Sequence, residues 1–185
     1  MKVAVLDHGM GNLRSVAKAL EAAGATVTVT ADPSDIAGND ALCVPGQGIF
    51  GRCVENLAES GNGELIADWI AADRPFLGIC LGMQILFDRS DENDAKGLGI
   101  YPGEVRRLPP VLTVPHIGWN EVDDTHYYFD HSYAVHPTDE SIVVGWCEHG
   151  ERFAAAVKTR SVFAVQFHPE KSGAAGIDLL KGWVR

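Results

Sequence analysis

The four cysteines of this 185-residue chain, Cys43, Cys53, Cys80 and Cys147, form no C-x-x-C pair. Their spacings fit neither a zinc site nor a small disulfide scaffold. Long apolar runs are missing as well. Nothing approaches the roughly 20 consecutive residues that span a bilayer, and mean hydropathy is near zero. The opening Met1-Lys2-Val3-Ala4-Val5-Leu6-Asp7 is too short and too soon acidic for a secretory signal, which predicts a cytoplasmic protein. Positive charge is scarce: 15 Lys and Arg face 25 Asp and Glu, giving a formal net charge of −10. With no basic stripe and no interleaving of aromatic and basic residues, nucleic-acid binding is disfavoured, because it leans on phosphate neutralisation. Repeats, low-complexity segments and long linkers are absent too. What is present is 46% apolar residues, ample for one buried core at this length.

The first half alternates strand and helix signals. Lys2–Asp7 reads as a strand, followed after Gly9-Met10-Gly11 by a helix to about Gly24, with Leu13, Val16, Ala17 and Leu20 at helical spacing. Thr26–Thr30, Ala41–Val44 and Phe76–Ile79 read as further strands. Helices are predicted over Phe50–Glu59, over Leu65–Ala72, and from the end of the fourth strand to about Phe87. This order predicts a parallel sheet with helices on both faces. From Gly97 onward the runs are shorter. Strands are expected over Glu104–Leu108, Tyr127–Val135, Ile142–Cys147, Phe153–Lys158 and Val162–Gln166, several of them antiparallel. A closing helix contains Leu179 and Leu180. One α/β domain with a mixed sheet is the expectation.

Among the cysteines, Cys43 reads as a small buried hydrophobe, and Cys53 and Cys147 have no evident helpers. Cys80 stands in Gly78-Ile79-Cys80-Leu81-Gly82, after an apolar strand and before a helix. That is where a G-x-nucleophile-x-G turn has structural meaning. The turn strains the central residue and projects its side chain at the end of the sheet, and small neighbours relieve the crowding. A tight turn with an inert cysteine would look the same in isolation. Gln166-Phe167-His168-Pro169-Glu170 adds what a nucleophile needs. His168 can serve as base near neutral pH, and Glu170 can orient it. In an extended chain the two side chains point the same way. His126, His136 and His149 lack such company and read as incidental. Pro45-Gly46-Gln47-Gly48 ends a strand beside the cysteine strand, where backbone N–H groups could hold an oxyanion.

Together these motifs resemble the class I (triad) glutamine amidotransferases over essentially the whole chain. GNLRS (Gly11–Ser15) and PHIGWN (Pro115–Asn120) narrow the likeness to the glutaminase subunits of imidazole glycerol phosphate synthase, and His131-Ser132-Tyr133 matches a further signature of theirs. The resemblance implies a single amidotransferase domain over 1–185, with a flavodoxin-like, mixed and mostly parallel sheet flanked by helices. It implies Cys80 as nucleophile, His168 as general base and acid, and Glu170 as its orienter. Gly48, Gln84, Glu92, Ser132 and Tyr133 would bind glutamine, and the N–H groups at Gln47 and Leu81 would form the oxyanion hole. Asn12, Trp119 and Tyr128 would face a separate (β/α)₈ cyclase subunit that receives the ammonia. The cyclase makes imidazole glycerol phosphate and an aminoimidazole carboxamide ribotide, in histidine biosynthesis. Neither metal nor organic cofactor is implied, nor a nucleic acid or a membrane.

Three positions depart from the family. Tyr is usual where His8 stands, a small apolar residue where Gln47 stands, and the segment near Leu108–Thr113 is short. The alternatives are a paralogue feeding another synthase, a cysteine peptidase or γ-glutamyl hydrolase of related fold, or a regulatory module that has kept the fold. The last would call for a broken triad, and all three members are present.

Overall fold

A strand buried on both faces must send alternate apolar side chains into two cores, and the first strand does so. In the computed structural model, which describes Met1–Arg185, β1 (Lys2–Leu6) directs Val3 and Val5 to one core and Ala4 and Leu6 to the other. The elements that follow are α1 (Leu13–Ala22), β2 (Thr26–Thr30), α2 (Pro33–Ala37), β3 (Ala41–Gly46), α3 (Phe50–Ser60), α4 (Asn62–Ala71), β4 (Phe76–Cys80) and α5 (Leu81–Gln84). The second half contains β5 (Phe87–Ser90), β6 (Ala95–Lys96), β7 (Tyr101–Arg107), β8 (His116–Val122), β9 (Thr125–His131) and β10 (Tyr133–Pro137). It closes with β11 (Val143–Glu148), β12 (Arg152–Lys158), β13 (Val162–Val165) and α6 (Gly173–Val184).

The main sheet runs β2-β1-β3-β4-β13-β12-β10-β7-β5-β6, with β11 paired to β12. From β2 to β13 every pairing is parallel, and β12 and β10 then run antiparallel. One face is covered by α1 and α6, through Val16, Leu20 and Leu180. The other is covered by α2, α3 and α4, through Ile36, Phe50, Leu57 and Ile66. Asn12 caps α1 by accepting from the Ser15 N–H at 3.3 Å, a contact type worth about 1 kcal/mol. No helix is long and apolar enough to cross a membrane.

Two sequence expectations are corrected. The helix after Cys80 stops at Gln84 rather than near Phe87, because the carbonyls of Ile85 and Leu86 accept from Leu98, Ile100 and Tyr101 instead of from a next helical turn. Tyr127–Val135 is two strands. β9 pairs with β8 in a separate two-stranded hairpin, and the chain then passes through Ser132 into the main sheet as β10. A further element, α2, has no apolar periodicity to announce it. It is started by Asp32, whose side chain accepts from the Ser34 N–H at 2.8 Å, with Pro33 at its first position.

Candidate active site

Cys80 ends β4 with φ 53° and ψ −108°, and it is nearly buried. A non-glycine residue at positive φ with this ψ is strained, at a cost of roughly 1–3 kcal/mol. Three glycines make the turn possible. A Cβ on Gly82 would be driven into the carbonyl oxygen of Val44. One on Gly78 would meet the Gly82 oxygen at 2.6 Å, and one on Gly46 would meet Leu81 Cβ at 2.7 Å. Strands β3 and β4 and the start of α5 therefore interlock around the cysteine with no room for side chains.

His168 follows β13, the strand beside β4, so neighbouring strand ends bring base and nucleophile together. Its Nδ1 lies 2.7 Å from Glu170 Oε1, and both side chains are 3% exposed. The extended His-Pro-Glu geometry expected from the sequence is replaced by a 3₁₀ turn over Pro169–Lys171, and the pair forms all the same. The Tyr128 carbonyl accepts from the His168 N–H at 2.8 Å. The Ser172 hydroxyl donates to the His168 carbonyl at 2.6 Å and accepts from the Tyr128 N–H at 2.9 Å. Ser172 is thus a structural member of the site that the sequence reading passed over. The Nε2 of His168 makes no hydrogen bond within the protein. Burial opposes a charged imidazole, but the charge of Cys80, hydrogen bonding and Glu170 outweigh it and push the His168 pKa up to about 10. A cysteine beside an imidazole that is oriented by a carboxylate is equipped for nucleophilic attack on an acyl carbon and for proton delivery to a leaving nitrogen.

The Pro45–Gly48 turn follows directly. Gly46 pairs with Cys80 across β3 and β4, so Gln47 and Leu81 each follow one member of that pair at the ends of neighbouring strands. His8 explains one departure from the family. Its Nε2 donates to the Pro45 carbonyl at 2.6 Å, while its Nδ1 faces Cys53 Sγ at 3.7 Å. Burial pushes the Cys53 thiol up to about 12, leaving it a donor to that nitrogen. Gln47 explains another, since its amide donates to Asp130 Oδ2 at 2.8 Å, the same oxygen that Lys171 reaches at 3.2 Å. The larger side chain ties the turn to β9 and to the loop carrying Glu170.

The remaining candidates fall into three groups. Gln84 sits behind Cys80, its Nε2 donating to the Tyr133 carbonyl and to Gln166 Oε1, each at 2.9 Å. The Ser132 carbonyl accepts from the Leu108 N–H. Glu92 accepts from the Phe50 N–H at 2.7 Å, at the entry to α3 two residues after the exposed Gly48. Asn12 lines a narrow cleft with Gln47, His168 and Glu170. Trp119 is 58% exposed and stands edge-on to Tyr128 across the hairpin, ring centroids 6.1 Å apart. A surface hollow of about 480 Å³ lies at the opposite end of the strands, between Pro75, Ser161 and Trp183, away from this chemistry.

Behind Tyr133 runs a chain of neutral histidines. Asn120 Nδ2 donates to the Glu148 carbonyl and to His116 Nε2, which must then be an acceptor. His116 Nδ1–H therefore donates to His131 Nε2 at 3.0 Å, and His131 Nδ1–H donates to the Tyr133 carbonyl at 2.8 Å. Carbonyls close both ends, so an extra proton would set donor against donor. Accordingly burial, then the neighbouring His149, lowers His116 to about 4. Burial likewise lowers His131 to about 3, against the Tyr133 hydrogen bond and with the help of nearby histidines. The ordinary value is 6.5, so the folded state binds fewer protons than the unfolded state below that pH. The contribution of these two histidines to stability should be constant above pH 6.5 and fall as pH drops toward 4, by about 1.4 kcal/mol per pH unit for each histidine, whereas His168, raised to about 10, contributes nothing to the change below pH 6.5. Urea unfolding between pH 7.5 and 4.5 measures this, and a flat midpoint would contradict the neutral chain.

The sequence matches the glutamine amidotransferase class-I family over residues 4–183. It is 45% identical to the imidazole glycerol phosphate synthase subunit HisH of Dechloromonas aromatica (strain RCB), covering 98% of this chain and 95% of that one. It is also 45% identical to the subunit of the same name from Mycolicibacterium paratuberculosis (strain ATCC BAA-968 / K-10), covering 98% and 96%. In fold it is similar to a glutamine amidotransferase crystal structure, with TM-score 0.77 and 22% identity over 97% of this chain and 98% of the other.

Proposed function

From a chain that belongs to the class I glutamine amidotransferases, and within them to the HisH subunits of imidazole glycerol phosphate synthase, we infer an enzyme that hydrolyses glutamine and passes the ammonia to a cyclase subunit. The observation that carries the chemistry is the strained Cys80 beside the buried His168–Glu170 pair, 2.7 Å apart. Cys80 thiolate attacks the side-chain amide carbon, and the C=O electron pair moves to oxygen. The N–H groups of Leu81 and Gln47 stabilise that oxyanion. As the tetrahedral centre collapses, the C–N bond breaks and His168 Nε2–H delivers its proton to the departing nitrogen, releasing ammonia. Water then attacks the γ-glutamyl thioester while His168 takes its proton. The C–S bond breaks, its electrons return to sulfur, and glutamate leaves.

Gly48, Gln84, Glu92, Ser132 and Tyr133 hold the amino-acid end of glutamine. Asn12, Trp119 and Tyr128 meet a (β/α)₈ cyclase that makes imidazole glycerol phosphate and aminoimidazole carboxamide ribotide in histidine biosynthesis, in the cytoplasm. The exposed Trp119, Ile117 and Ile49 support that surface, since they are large apolar side chains near the site. Tyr128 holds the His168 backbone, so a partner pressing on the hairpin acts directly on the base. The test is glutamate release by the purified chain, alone and with a cyclase subunit carrying its ligand. Slow turnover alone and strong acceleration by the partner are expected. Fast turnover indifferent to the cyclase would refute the coupling.

A further inference from the structure

One backbone carbonyl fixes the polarity of a buried amide pair behind the nucleophile. The Tyr133 carbonyl can only accept, so the Gln84 atom 2.9 Å from it is the amide nitrogen. The same nitrogen lies 2.9 Å from a terminal atom of Gln166, which must then be its oxygen. That leaves the amide nitrogen of Gln166 pointing at Cys80 Sγ, 3.5 Å away, as a donor. Gln166 has no exposed surface, and its own N–H donates to the Ala155 carbonyl at 2.8 Å. Its side chain can neither turn to water nor flip without breaking both bonds, and a buried amide N–H demands an acceptor. Here the acceptor is sulfur.

We propose that Gln166 is a further catalytic residue, donating a hydrogen bond to Cys80 Sγ that favours thiolate over thiol and steadies the sulfur for attack. The proposal rests on the reading of Cys80 as the nucleophile. A hydrogen bond to an anion is stronger than one to a neutral acceptor, so the contact tightens whenever sulfur carries charge. It therefore acts twice, once before attack and again when the thioester C–S bond breaks and the electron pair returns to sulfur. Gln84 supports it by pinning the Gln166 oxygen, which makes Gln84 a positioning residue here as well as a glutamine contact.

The experiment follows iodoacetamide alkylation of the full chain against pH, with Cys80→Ala supplying the background from the buried Cys43, Cys53 and Cys147. In Gln166→Met, which keeps length and loses the donor, the alkylation profile should move up by about one pH unit, with glutaminase turnover at pH 7 down about tenfold. Gln166→Glu should move it further, because a carboxylate then faces the sulfur. Superimposable profiles in folded variants would overturn the proposal. The unsubstituted protein gives an independent readout. The side-chain amide protons of Gln166 should shift in NMR as Cys80 titrates, and should not in Cys80→Ala; no such shift overturns the hydrogen bond without any variant at position 166. A profile that moves in a chain releasing no glutamate even with the liganded cyclase supports the bond and refutes the glutaminase reading. An active enzyme with an unmoved profile refutes only the role of Gln166.

Discussion

Cys80→Ala should lose glutamine hydrolysis by at least about 10⁴-fold while leaving ammonia-fed synthesis by the assembled complex intact. Alanine keeps the Cβ and so inherits the same backbone strain at φ 53°. It fills nearly the same buried space, so the fold and the docking surface survive. What disappears is the sulfur, and with it the Cys80 charge that helps to raise His168. Burial, the largest influence and an opposing one, then weighs more heavily, and the imidazole should titrate well below about 10. Paired assays with glutamine and with ammonium salts, together with an NMR titration of His168, separate the possibilities. A folded variant that loses both activities would refute the division of labour between the subunits.

Gly82→Ala should be among the most damaging single-methyl additions in the chain. Its Cβ would collide with the Val44 carbonyl, which is strand backbone and has nowhere to retreat. The cost should exceed about 3 kcal/mol, a large share of the roughly 5–15 kcal/mol that holds a domain together. Melting should fall by roughly 10 °C, or the protein should fail to accumulate. Gly182→Ala provides the contrast. Gly182 lies in α6 with nothing within 4 Å of the added carbon, so helix propensity alone decides, and stability should rise by about 0.5–1 kcal/mol. Equal effects at the two sites in thermal denaturation would refute the steric account of the turn.

The alternation of apolar strands with amphipathic helices set out the parallel half of the sheet before any coordinates. Its boundaries missed by only a residue or two at β3 and β4, because burial on both faces leaves a strand few other ways to be written. Gly78-Ile79-Cys80-Leu81-Gly82 was likewise plain, since local backbone geometry dictates its glycines, and His168 and Glu170 were legible as a pair from their chemistry and spacing although the backbone between them is a 3₁₀ turn and not extended. The contacts that join distant segments were not. Gln47 meeting Asp130, or Gln84 meeting Gln166, spans about eighty positions, and no periodicity encodes such a meeting. Ser132 shows a second limit. The stretch from Tyr127 to Val135 reads as one strand, with Asp130-His131-Ser132 at its middle, yet two different partners, β8 and β7, claim its halves. His149 shows a third: it read as incidental, and it stacks on His116 with ring centroids 4.0 Å apart.

The place of β13 has a consequence in time. It is made after every other strand of this sheet, yet it lies in the middle, between β4 and β12. Until Val162 to Val165 emerge from the ribosome, β4 keeps an open edge and Cys80 has neither His168 nor Gln166 beside it. A nascent or truncated chain that stops short of this strand therefore carries the cysteine without its chemistry, however complete the rest may be. The thiol is made early and armed late, only once β13 has been laid between β4 and β12.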